Sequence, residues 1–211
     1  MKNIKRFAYA VVIATFSTFV HAGSYEDFFV AIRNDNASQL EGLLQRGFDP
    51  NTRDPKGQPG LTMAMQERSP KAARVLLEQR SIDVNALNQA GESALMLAAL
   101  KGDLPSVQLL AQRGASINQP GWSPLHYAAT GPEPKVVAWL LEQGAAIDAE
   151  SPNGTTPLMM AAQYGDEASV RLLVERGADP AKRNQKGLRA VDFARLSGRA
   201  ALVSKLEQIT R

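Results

Sequence analysis

The chain has 211 residues, with 24 Lys and Arg against 21 Asp and Glu, two histidines and no cysteine. Without cysteine there can be no disulfide, thiolate metal site, cysteine nucleophile or cysteine-borne lipid anchor, so the fold has to stand on its core. The basic excess is local: Lys2, Lys5 and Arg6 lie in residues 1–22, which hold no acidic residue. The remainder is balanced at 21 of each sign, so no nucleic-acid partner is expected.

After its basic start the chain runs apolar from Phe7 to Val20 and then reads Val20-His21-Ala22, with small or branched residues at the usual cleavage offsets. That is the pattern of a secretory signal peptide cut after Ala22. The apolar run of 14 residues falls short of the ~20 that a membrane-spanning helix needs, so stable membrane insertion is not expected. The mature chain, 23–211, is expected in the periplasm or secreted.

From residue 24 onward the sequence repeats. Paired leucines recur at Leu43-Leu44, Leu76-Leu77, Leu109-Leu110, Leu140-Leu141 and Leu172-Leu173, and glycines at Gly57, Gly91, Gly121, Gly154 and Gly187. Both series have a period near 33 residues, which marks a stacked-repeat protein. Within each unit the apolar positions predict two short helices. Leu95-Ala98-Ala99, Leu125-Ala128-Ala129 and Leu158-Ala161-Ala162 follow i, i+3, i+4 on a first helix; Val137-Leu140-Leu141 and Val170-Leu173-Val174 do so on a second. Ser69-Pro70, Ser123-Pro124 and Thr156-Pro157 place a capping hydroxyl before a proline suited to a first turn. Gly114-Ala115, Gly144-Ala145 and Gly177-Ala178 end helices and lead into turn-rich links.

Ser123-Pro124-Leu125-His126-Tyr127-Ala128-Ala129, Gly154-Thr155-Thr156-Pro157-Leu158-Met159-Met160-Ala161-Ala162 and Gly177-Ala178-Asp179-Pro180 resemble the G-x-T-P-L-H-x-A-A and G-A-D-x-N segments of the ankyrin repeat. The resemblance covers roughly residues 24–209 and divides them into units of about 24–53, 54–87, 88–119, 120–150, 151–183 and 184–209. Residues 24–53 and 54–87 are degenerate, with Pro59-Gly60 in place of Thr-Pro and with Met65 and Arg68 in place of Ala and Gly. The resemblance implies an all-α solenoid of stacked helix pairs joined by β-hairpin-like loops, in which neighbours bury each other's apolar faces. It also implies a non-catalytic interaction scaffold, similar to exported ankyrin proteins of Gram-negative bacteria. Such a scaffold holds a protein partner on its concave face and hairpin tips.

One irregularity suggests where. Gly114 to Leu125 spans 11 residues, whereas Gly47 to Leu61 and Gly144 to Leu158 span 14, so one hairpin is short. Beside it stands Trp122, flanked at other surface slots by Glu92, Lys101, Thr130, Gln163 and Tyr164. These six residues are the expected partner-binding set, since Trp and Tyr are over-represented among interface residues whose truncation is costly. Trp122 has a second reading, as a ring that covers core left bare by the short hairpin. Trp139, within an apolar run, is expected in the core, as are Met159 and Met160.

His126 is the one histidine left after cleavage, and the resemblance implies a structural role for it, tying adjacent units together through loop backbone. A lone imidazole without cysteine offers too few ligands for a zinc site. No nucleophile elbow or phosphate-binding loop occurs, so neither catalytic residue, metal nor cofactor is expected. Asp49, Asp83, Asp148 and Asp179 recur at link positions, where turn chemistry accounts for them. The partner is a protein the sequence does not identify, and the chain is expected to be a monomer. One alternative places function at the basic end, where Lys182, Arg183, Lys186, Arg189, Arg195, Arg199, Lys205 and Arg211 could meet an anionic envelope component. Another is binding of a host protein after secretion.

Overall fold

A computed structural model of the chain describes residues 23–209, so the signal-peptide reading of 1–22 lies outside the described residues. Those residues form helix pairs and no strand; a single antiparallel bridge joins Arg53 to Pro59. The chain divides into two compact units, the first ending at Asp83 and the second starting at Val84.

The first unit contains α1 (23–33), α2 (Ala37–Gln45), α3 (Gly60–Glu67) and α4 (Pro70–Glu78). The degenerate sequence of its second pair has a steric cause. Gly60 stands where proline is usual, and a Cβ there would come within 2.8 Å of the Phe28 ring. Phe28 is itself buried and packed against Phe29 and Phe48. Pro59 supplies neither a hydroxyl nor an N–H at the helix start, and the buried Thr62 hydroxyl has no hydrogen-bond partner among the described residues. Ser69 does not cap α4 as its sequence suggests. The Asp35 carboxylate of the preceding repeat does so instead, accepting from Lys71 N at 2.8 Å and Ala72 N at 2.9 Å.

The second unit stacks four pairs: α5 (Ala94–Leu100) with α6 (Leu104–Gln112), α7 (Pro124–Thr130) with α8 (Pro134–Glu142), α9 (Pro157–Tyr164) with α10 (Glu167–Glu175), and α11 (Ala190–Leu196) with α12 (Ala200–Ile209). The inner helices pack in sequence, α5 on α7, α7 on α9 and α9 on α11. Their contact positions are buried and small at every level: Ala98, Ala128, Ala161 and Ala194. Close approach is enforced at Gly165 too, where a Cβ would collide with the Ala129 carbonyl and Ala161. Trp139 is not core: α8 buries Val136, Val137 and Leu140, and the indole lies part-exposed at the edge of that stripe.

Each inner helix of this unit begins with the same backbone-to-side-chain cap, built from different chemistry, and in α5 and α9 the N-cap hydroxyl returns the bond by accepting from the backbone N–H of Met96 and Met159. The backbone N–H of the N-cap residue donates to the side chain three residues on. The acceptor is the Met96 sulfur for Ser93 (3.4 Å), His126 Nδ1 for Ser123 (3.2 Å), the Met159 sulfur for Thr156 (3.4 Å) and Asp192 Oδ2 for Arg189 (2.9 Å). What the slot requires is therefore an acceptor of suitable reach. Between levels, an amide clamps the glycine turn of the next repeat. Asn85 donates to the Gly114 carbonyl and accepts from Ser116 N; Asn118 does the same to Gly144 and Ala146. Asn51 repeats the arrangement within the first unit, on Ser81 and Asp83.

Candidate interaction face on the inner helices

His126 is the organising group of the face. It is buried at the start of α7, and its two ring nitrogens have fixed roles. Nδ1 faces an obligate donor, Ser123 N–H, and the Ser123 hydroxyl at 2.9 Å; Nε2 faces an obligate acceptor, the Thr155 carbonyl, at 2.9 Å. The proton must sit on Nε2, so His126 is neutral and joins its own repeat to the next. Burial lowers its pKa against two backbone bonds, to Thr155 and Ala149, that favour the charged form.

Trp122 packs edge-on against that imidazole, with ring centroids 5.2 Å apart. Part of the indole thus covers His126, and the rest faces outward into a cleft of about 270 Å³ lined by Leu100, Trp122, His126, Tyr127, Thr130 and Met160. The two readings of Trp122 meet here, since the same ring seals the imidazole and forms a wall of the cleft. The short hairpin leaves room for it. At residues 88–92, 151–155 and 184–188 the loop tip is closed by a pair of backbone hydrogen bonds, and residues 118–122 have no such pair. Gln119 instead reaches back to the Gly91 carbonyl at 3.4 Å.

The structure unites some of the six expected partner-binding residues and separates others. Trp122 and Thr130 line the cleft, and the Thr130 hydroxyl donates to the His126 carbonyl at 2.9 Å. Glu92 joins through Tyr127: the phenol donates to Glu92 Oε1 at 3.0 Å, while Asn88 Nδ2 donates to Oε2 at 2.8 Å. Burial, that hydrogen bond and the Glu92 charge all push the Tyr127 phenol upward. Lys101 follows Leu100 at the far end of α5. Gln163 and Tyr164 lie outside the cleft at the C-terminal end of α9, where Tyr164 is 61% exposed. Leu196, at the matching end of α11, is 68% exposed.

Sequence reasoning missed Leu100, Tyr127 and Leu196. It read Met160 as packing, whereas the side chain is part-exposed in the cleft wall; Met159 is buried as expected. The available signal was the register itself, because Leu97, Tyr127, Met160 and Phe193 occupy one slot of the repeat and keep large side chains there throughout.

The basic end is largely committed internally. Lys182 pairs with Glu150 and Lys205 with Glu167, both at 2.8 Å; Arg195 bridges Asp192 and Glu207; Arg189 lies 3.7 Å from Asp192. Arg199 donates to the Ala161 and Ala162 carbonyls, closing the end of α9, and Arg183 to the Gly187 carbonyl. The described residues hold no group of three or more His, Cys, Asp or Glu arranged for a metal ion, and no helix among them is long and apolar enough to cross a membrane.

Known proteins share this architecture. The chain is 28% identical over 166 residues to human transient receptor potential cation channel subfamily A member 1, 34% over 149 to the mouse B-cell lymphoma 3 protein homolog, and 37% over 148 to rat ankyrin repeat and SAM domain-containing protein 6. These matches cover 72%, 67% and 64% of this chain but only 15%, 33% and 17% of those proteins. Among solved structures, a chain from the complex of a predatory endopeptidase of Bdellovibrio bacteriovorus with an immunity protein has the same fold. Its TM-score is 0.74 at 23% identity, over 86% of this chain and 97% of that one. The family model for ankyrin repeats (3 copies) matches residues 28–120 and 116–184, and with the stacked helix pairs described above it shows that the chain belongs to the ankyrin-repeat family.

Proposed function

We propose that the protein is a non-catalytic binding scaffold of the bacterial envelope, exported by residues 1–22 with cleavage after Ala22, which holds a protein partner against its inner helices and loop tips. Ankyrin repeats generally mediate protein–protein interaction. The observation that carries the reading is the clustering of outward-facing apolar groups on one side of the second unit: Trp122, Tyr127 and Met160 in the cleft, and Tyr164 and Leu196 beyond it. Aromatic residues on an otherwise polar surface are what an interface core requires. The solved complex of an endopeptidase with an immunity protein supports the reading in kind, since it holds this fold in an assembly with another protein. Action in the periplasm and action on a host protein after secretion both follow from the same leader.

The anionic-surface alternative is set aside because most of its cations already have internal partners. The proposal is tested by capturing partners from envelope extract with residues 23–211, beside Trp122→Ala and Tyr164→Ala variants whose folding is verified by circular dichroism. One protein retained by the native chain and lost with both folded variants is the expected result. Retention unaffected by either variant would remove the partner from this face.

A further inference from the structure

The cleft has apolar walls, and one of its lining residues, Tyr127, is tied through its phenol to the carboxylate of Glu92. Glu92 is part-buried, and its two carboxylate oxygens are held by neutral donors, the Tyr127 phenol and the Asn88 amide. Among the described residues no Lys or Arg lies within ion-pair distance of it, whereas six other carboxylates of the second unit have such a partner. A part-desolvated carboxylate with no counter-ion gains more from an incoming cation than a solvated one, because its charge is less screened. The Trp122 and Tyr127 rings line the cleft, and an aromatic ring attracts a cation placed over its face.

Two opposite charges also flank α5, the helix that supplies Leu100 to the cleft. Glu92 precedes the N-cap of α5 and Lys101 follows the C-terminal residue of the same helix, so the two charges stand at opposite ends of a seven-residue helix, ~10 Å apart along its axis. Leu100 and Thr130 belong to the Lys101 end, Trp122 to the Glu92 end.

We infer that this cleft is the seat of a cationic side chain, arginine or lysine, from the protein partner. Its alkyl stem lies along Leu100 and Met160, and its charged head meets the Trp122 and Tyr127 rings with Glu92 as counter-ion. The inference rests on the inner helices being the partner surface and specifies what that surface reads. An Arg or Lys stem matches apolar walls as a leucine would, and its head supplies the charge that Glu92 lacks. Lys101 at the other end sets polarity, turning a partner's cation away from it and favouring a carboxylate there.

The test uses blocked tripeptides, acetyl-Gly-Xaa-Gly-amide with Xaa arginine, lysine, norleucine or glutamate, titrated into residues 23–211. The signal followed is the indole N–H resonance of Trp122, assigned by its loss in Trp122→Phe. Arginine and lysine peptides are expected to shift it saturably, about fivefold more tightly than norleucine, with the advantage shrinking at high salt. Glu92→Gln should erase that advantage, whereas Tyr127→Phe, which keeps both ring and carboxylate, should preserve it. Norleucine binding as well as arginine, an advantage that survives Glu92→Gln, or no shift with any peptide would each overturn the inference. None of these touches the capture experiment. Conversely, a partner captured independently of Trp122 and Tyr164 would sink the scaffold face while leaving a cation-selective cleft measurable.

Discussion

At the scale of the single residue, His126 shows how a titratable group can serve structure by staying neutral. Protonating Nδ1 would set a second N–H against Ser123 N–H. The unfolded chain takes up its proton near 6.5, while the folded protein resists until lower pH. His126 therefore contributes full stability above that value, and the contribution falls as pH drops below it. Because residues 23–211 contain no other histidine, His126 should dominate the slope of urea unfolding between pH 7.5 and 5.5, and His126→Gln should flatten it while lowering stability by ~1–2 kcal/mol. Thr62 illustrates the opposite case: it holds the same slot of α3, three residues after an N-cap proline with no N–H to offer, and its buried hydroxyl has no partner among the described residues. Thr62→Val keeps the shape and removes the unmet group, so its midpoint of unfolding should hold steady or rise, by up to ~1 kcal/mol.

At the scale of the element, α3 is the weak helix. It starts at Pro59-Gly60 without a side-chain cap and ends at Arg68, whose φ of +58° places a Cβ-bearing residue in the left-handed region that Gly102 occupies in the next repeat at +72°. A non-glycine residue there costs ~1 kcal/mol or more. Arg68 is exposed and the substitution removes no described contact, so Arg68→Gly should stabilise by about that amount. Hydrogen exchange should find residues 54–70 less protected than 88–183, with the gap narrowed in the variant. Equal protection in both segments of the parent chain would show that Phe28, filling the space over Gly60, fully compensates for the missing cap.

The helix pairs were legible in the sequence because leucine pairs, alanines and turn glycines must recur wherever helices stack. The cleft was less so. Trp122 was visible against the short hairpin, and Thr130, Glu92 and Lys101 follow from their slots. Tyr127 and Met160 sit where the repeat tolerates almost any large side chain, so their pattern looks like packing. Trp139 misled for a related reason: the apolar run of α8 is wider than the stripe that its neighbours cover.

At the scale of the whole molecule, the repeats are joined by a ladder of amides that resembles ordinary turn composition in sequence. Asn85 and Asn118 each give and take one hydrogen bond across their seams. At the next seam the position is Asp148, which accepts from Asp179 N but has no N–H to offer the Gly177 carbonyl. Asp148→Asn should complete the ladder and raise stability by ~1 kcal/mol, and Asn118→Ala should lower it by ~1–3 kcal/mol, both read from denaturant midpoints at an unchanged m-value. Such seams matter because a stack is only as cooperative as the contacts between neighbours.

The fixed tautomer of His126 makes one of these seams observable from within. Its Nε2 proton is buried between two repeats and bonded to a carbonyl that belongs to the second. It can exchange with water only when the loop that carries Thr155 parts from the start of α7. Its lifetime in deuterium oxide therefore times the opening of that seam alone, and a partner seated across the two repeats would lengthen it without touching the ring.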